Sequence, residues 1–407
     1  MIYSNTKLLF ILFILGNLSG CLDDADSTEE TIIGNVACGP EHAVPYKPAN
    51  IGSNPTIILN IAEYGDGSNI ELVENNTVTQ SGILPSTETD FVVSGRGEYF
   101  YRLGKQGIDT IQKYYRTAPE VGLYQTENRL GFSTRDAGTD TSPNAKMIGF
   151  INDSIAILPR RETNIAWVVN LDAQTESEFK ICELDLSAYE TQTITNEGTD
   201  EEAIVTYPPH MELVNINDNY AAITMQRLEN YTAVNSAYTA IFDLNTWQEV
   251  DTQPETDGLK GIQLNLKNPQ QSTLSGNDLY ISSVIWQQSG GIEKIDLDTF
   301  TATTINEESG YWSINATDNG NIYAIGIDGW DYKGLFEIQG STRSAVGNTS
   351  EDILTTLTSR ENKLWLGYKG TADVTAKVEI YSALTNSLEG TINSLPRSTQ
   401  GISFIEE

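Results

Sequence analysis

A polar turn running into an apolar strand recurs along most of this chain, and no other feature limits its fold as tightly. The unit occurs as Arg96-Gly97-Glu98-Tyr99-Phe100-Tyr101, Glu127-Asn128-Arg129-Leu130-Gly131-Phe132, Asn152-Asp153-Ser154-Ile155-Ala156-Ile157 and Asn217-Asp218-Asn219-Tyr220-Ala221-Ala222-Ile223. Three further copies, Gly276-Asn277-Asp278-Leu279-Tyr280-Ile281, Asn319-Gly320-Asn321-Ile322-Tyr323-Ala324-Ile325 and Glu361-Asn362-Lys363-Leu364-Trp365-Leu366, follow at intervals of 42 to 43 residues. A second strand type ends in an acidic turn, as in Lys294-Ile295-Asp296-Leu297-Asp298-Thr299-Phe300. β-Branched and aromatic runs bounded by Gly, Asn and Asp are the mark of short strands, and helical patterning is nearly absent after the first twenty residues.

A unit of this length is the size of one four-stranded sheet. Such a sheet cannot bury both faces alone; stacked radially, the sheets bury one another and leave only short edges. The chain is therefore expected to be all-β, a β-propeller of four-stranded antiparallel blades, with seven blades preferred over six or eight. Closure would pair Thr56-Ile57-Ile58-Leu59-Asn60-Ile61 with strands near the C-terminus, where Gly401-Ile402-Ser403-Phe404-Ile405 makes the last strand. Two sandwich domains are the competing arrangement, but no Pro- or Ser-rich linker divides the chain near its middle. Ser187 to Ala203 reads as an acidic inserted loop.

Charge and scarce residue types narrow the chemistry. Asp and Glu number 56 against 24 Lys and Arg, a net charge of −32, which argues against nucleic acid and anionic membrane surfaces as partners. Two histidines, His42 and His210, and three cysteines cannot assemble a multi-His or four-thiolate metal site. His210 follows Pro208-Pro209 without any Gly-x-Ser-x-Gly elbow, so it reads as a turn residue. No cofactor, resident metal or catalytic residue is assigned. Tyr64-Gly65-Asp66-Gly67-Ser68-Asn69 has too few carboxylates for a calcium loop and reads as a tight hairpin.

The N-terminus supplies an address. Lys7 precedes an apolar run from Leu8 to Leu18, too short to span a bilayer and suited to a signal peptide covering residues 1–20. Leu18-Ser19-Gly20-Cys21 resembles the lipobox of bacterial lipoproteins, which implies that Cys21 carries the acyl chains (palmitate among them) as the sole membrane contact. Leu22, not Asp, follows Cys21, and Asp23, Asp24 and Asp26 resemble an export tag, so the expected location is the outer membrane, facing outward. Residues 21–54 read as a flexible acidic tether and 55–407 as the propeller domain. Cys38 and Cys182 form an even pair in an oxidising compartment, either bonded to each other or left as two thiols.

The lipobox with its acidic tag, Gly107-Ile108-Asp109-Thr110-Ile111-Gln112-Lys113-Tyr114, the Tyr-rich stretch from Asn217 to Glu249, and Thr399-Gln400-Gly401-Ile402-Ser403-Phe404 together resemble a family of bacterial surface lipoprotein propellers of unknown function. The resemblance covers Thr56 to Glu407. Members are encoded beside TonB-dependent receptors, and some capture ferric siderophores. It implies a non-enzymatic lipoprotein that binds a small nutrient chelate of that kind and passes it to a TonB-dependent transporter.

Capture of such a complex needs a concave face with cations and rings. In so acidic a chain Arg96, Arg160 and Arg161 stand out, as do Arg102 and the cluster Lys113 to Arg116, together with Trp312 and Trp330 in expected loops. Arg160, Arg161, Trp312, Trp330 and Arg96 are the candidate ligand-binding set, on condition that they converge on one mouth of a central channel. Each has an alternative role, rings as packing between blades and Arg as a partner of surface carboxylates. Two other functions stay open: a propeller hydrolase or lyase acting on glycans through paired carboxylates, and a surface protein that binds other proteins and no small ligand.

Overall fold

The computed structural model describes residues 36–50, 55–195, 202–255, 258–285, 289–307, 309–328, 331–347, 349, 353–370 and 375–405. They build a seven-bladed propeller of four-stranded antiparallel sheets. From the centre outward, blade 1 runs Thr399–Ile405, Thr56–Glu63, Gly67–Glu74, Thr77–Ser86. The innermost strands of blades 2 to 7 are Phe91–Arg96, Gly149–Phe150, Met211–Ile216, Pro269–Ser275, Gly310–Ala316 and Leu354–Arg360, each followed outward by the next strands in sequence. In blade 2 an additional short strand, Phe132–Ser133, pairs with Thr110–Tyr115.

Apolar clusters fill the spaces between blades. Ile57, Leu59 and Ile61 of blade 1 meet Val378, Ile380 and Ile392 of blade 7, and Ala222 and Ile241 of blade 4 meet Leu279 and Ile295 of blade 5. Because both faces of a blade are covered, middle strands read as continuous apolar runs instead of alternating ones; Ala166, Trp167, Val168 and Val169 are all buried.

Innermost strands such as Pro269–Ser275 and Leu354–Arg360 carry many polar residues. Their side chains reach across to the next blade: Asn215 Nδ2 donates to Ser272 Oγ at 2.6 Å, Ser313 Oγ donates to Gln271, Ser359 bonds Asn315, and Thr355 donates to the Thr399 carbonyl. The Gly95 N–H donates to Ser403 Oγ at 2.8 Å. These bonds link neighbouring blades around the axis.

Closure follows the expected pairing, with Ile57 opposite Phe404 and Leu59 opposite Ile402. Arg397 to Asp66 at 3.0 Å and Ser398 to Glu63 at 2.7 Å reinforce it. Six of the recurring sequence units are the turns between first and second strands of blades 2 to 7. The seventh, Glu127–Phe132, lies instead in the irregular chain leading to blade 3. Blade 1 has no such turn, since its inner strand comes from the far end of the chain.

Val36–Asn50, assigned to the tether by sequence, packs on the ring. Ala37 bridges Glu183 in parallel, and Cys38 is bonded to Cys182, 144 positions away. Val44 and Tyr46 pack against the apolar cluster between blades 3 and 4. Lys47 N donates to the Ile151 carbonyl at 2.8 Å, and its ammonium pairs with Asp153. The acidic insertion contains a short 3-10 turn, Ser187–Tyr189, and the first strand of a hairpin formed by Thr191–Thr195 and Ala203–Tyr207. No helix among the described residues is long and apolar enough to cross a membrane.

Candidate functional site

Inner strands of all seven blades, with the loops leading into them, enclose a central cavity of about 680 Å³. Its rim lies on the face that carries the Tyr64 turn, Asp90 and Lys105. The turns between first and second strands lie on the opposite face.

One backbone device repeats around this rim. In blade 4 the pairing register slips between Met211 and Leu213, leaving Glu212 as an extra residue. The same slip sets out Gln270 in blade 5, Trp312 in blade 6, Thr355 in blade 7 and Gln400 in blade 1. A β-bulge re-aims the extra side chain and bends its strand. Here all five bulged residues line the cavity. In blade 3 the corresponding stretch places Lys146 and Met147 on the wall, while blade 2 keeps an unbroken register from Phe91 to Arg96.

The wall thus combines amides, hydroxyls and one indole with apolar side chains such as Phe91, Val93, Leu213, Leu357 and Ile402, and charged pairs sit at the rim. Lys105 pairs with Asp90 at 2.5 Å, and Lys146 with Glu212 at 3.2 Å. Arg161 Nε holds the other Glu212 oxygen at 3.1 Å, while its remaining nitrogens reach Glu162 at 2.6 Å and Gln226 at 3.0 Å. Gln226 in turn donates to the Pro269 carbonyl at 2.9 Å. Behind them His210 is buried, with Nε2 3.9 Å from Glu162. Burial and the neighbouring Arg161 guanidinium, opposed by Glu162, draw its pKa down to about 4, so it is neutral at neutral pH.

The expected ligand set does not converge. Arg160 is 1 % exposed: it stacks 4.1 Å from Trp167, donates to the Thr134 carbonyl at 3.1 Å and pairs with Asp136 at 2.5 Å. An arginine so buried must be fully paired, and this one holds blade 3 to the loop before it. Arg96 ends its strand on the opposite face, bound to Asp153 at 2.9 Å and to the Lys47 carbonyl. Arg161 reaches the rim, but through Glu212. Trp312 lines the cavity. Trp330 and Cys21 lie outside the described residues.

Sequence reasoning missed Lys146, Glu212, Gln270, Thr355 and Gln400. A signal existed: the bulged residues Gln270, Trp312 and Thr355 are 42 and 43 residues apart, the blade length. Among the described residues no group of three or more His, Cys, Asp and Glu side chains is placed to hold a metal ion.

No family model matches the chain, nor does any curated protein sequence. Among solved structures, a 6-phosphogluconolactonase-like protein of Bacteroides uniformis aligns at a TM-score of 0.55 with 14% identity, over 87% of this chain and 100% of that one. Its counterpart from Bacteroides fragilis aligns at 0.51 with 11% identity, over 88% of this chain and 100% of that one. Apo AztD from Citrobacter koseri covers 86% of this chain and 98% of its own at 10% identity, but at a TM-score of 0.44 the overlap is too loose to argue from. At such identities the likeness is one of fold alone.

Proposed function

We propose that this chain is a lipid-anchored outer-membrane protein that captures a small nutrient chelate, of the ferric-siderophore class, in its central cavity and passes it to a TonB-dependent transporter. The observation that carries the binding reading is the ring of bulges that turns Glu212, Gln270, Trp312, Thr355 and Gln400 into one cavity. Its volume falls in the usual range for a small-ligand site, roughly 300 to 1,000 Å³. A catecholate or hydroxamate complex presents oxygens that accept bonds from amides, hydroxyls and rim lysines, and an organic shell that packs on an indole. Glu63, Asp90 and Glu212, the three carboxylates among the lining residues, are each ion-paired with lysine. That arrangement favours capture over hydrolysis, which needs a carboxyl group available as acid or base. The surface address and the transporter rest on the Leu18-to-Asp26 segment and on the family resemblance.

Titration of the purified chain with ferric catecholate, ferric hydroxamate and cobalamin, followed by tryptophan fluorescence, tests the reading. Saturable quenching by at least one ligand is expected, with a smaller amplitude in Trp312→Phe. No saturable change across the panel would overturn it.

A further inference from the structure

Between blades 3 and 4 the chain leaves the ring. Thr191–Thr195 and Ala203–Tyr207 pair only with each other among the described residues, in an unbroken register that sets Ile194 opposite Ile204. None of the described residues outside the hairpin gives either outer edge a backbone hydrogen bond. A lone two-stranded ribbon is marginal in water, and this one is fastened on one side. Thr191 is buried and Thr193 Oγ1 donates to Glu229. The other face of the hairpin is open: Ile204 is 66% exposed, and its cross-strand neighbour Ile194 is 50% exposed. Edges left open in natural sheets are normally guarded by Lys, Pro or a bulge. Neither strand contains any of these.

Charge identifies the occupant. From Ile181 to Gln226 the sequence has no Lys or Arg, and Asp185, Glu190 and Glu202 lie next to the hairpin strands along the chain. We propose that the Ala203–Tyr207 edge docks an extended, basic segment of a partner protein, which adds as a third strand and covers Ile194 and Ile204. Backbone bonds along the edge would supply affinity, and acidic flanks would select cations and speed encounter. A second copy of this chain would bring like charge against like, and an anionic lipid surface is repelled for the same reason. The hairpin leads through Pro208 and Pro209 to Glu212 at the cavity rim, so the docked segment lies beside the mouth. The inference goes beyond the cavity's ligand and stands whatever that ligand is.

The test uses the full chain and a fluorescein-labelled peptide, Lys-Lys-Thr-Val-Thr-Val-Thr-Lys-Lys, with a Glu-flanked version as control. Fluorescence anisotropy should show saturable binding of the Lys-flanked peptide, at least tenfold weaker for the Glu-flanked one and for Ile204→Lys or Ile194→Lys. Hydrogen exchange at residues 203–207 should slow when the peptide binds. No binding, equal binding by both variants, or protection mapping elsewhere would overturn the proposal. So would a wild-type dimer that Ile204→Lys converts to monomer, since the edge would then belong to a second copy.

Discussion

His210 sits with φ near +54°, a backbone conformation that Asn also tolerates, and its Nδ1 has no hydrogen-bond partner. Burial first, and Arg161 second, depress its pKa to about 4 in the folded chain, against an ordinary 6.5. As pH falls, the unfolded chain therefore takes up this proton before the folded one does. The stability it confers is complete above pH 6.5 and is lost between there and pH 4. The shift is worth on the order of 1–3 kcal/mol. His210→Asn should flatten that limb: urea unfolding at pH 7.5, 5.5 and 4.5 should show the gap between variant and wild type changing in favour of the variant as pH falls. Parallel curves would assign the acid sensitivity to other groups. Arg160 teaches the complementary lesson. Cations are conspicuous in a chain of net charge −32, yet burial demands pairing, and the polar partners that occupy Arg160, Thr134 and Asp136, lie 26 and 24 residues away in sequence.

At the scale of elements, the strap Val36–Asn50 is held at two points, Cys38–Cys182 and the cluster of Lys47, Arg96 and Asp153. Closing so long a loop restricts the unfolded chain, by about 2–5 kcal/mol. Replacing both cysteines by serine should lower stability by about that amount in chemical denaturation. Hydrogen exchange should speed up at residues 36–39 while the Lys47 amide, bonded to Ile151, stays protected. An unchanged midpoint would show that the strap adds nothing. Turns and strands were the legible elements, because Asn-Asp and Asn-Gly turns before apolar strands are local chemistry. The bulges were not. An extra residue re-aims a side chain without altering composition, so Tyr311 and Trp312 look alike in sequence although one is buried between blades and the other lines the cavity.

For the whole molecule, the recurring turn-strand units and the blades agree in number but do not correspond one to one. Of the seven units, six are first-to-second-strand turns; Glu127–Phe132 is not, and the closure blade has none. The ring itself was legible because the 42-residue repeat forces radial stacking, and the closing pair Thr56–Ile61 with Gly401–Ile405 was recognisable by its β-branched content. What the ring builds at its axis was not legible, since no single blade contains it. Calorimetric titration of Gln270→Trp with a chelate that binds the wild-type chain tests the account at this point. An indole at that bulge should narrow the cavity, weaken binding at least tenfold and leave the melting temperature unchanged. Equal affinity in wild type and variant would place the ligand elsewhere and contradict the account.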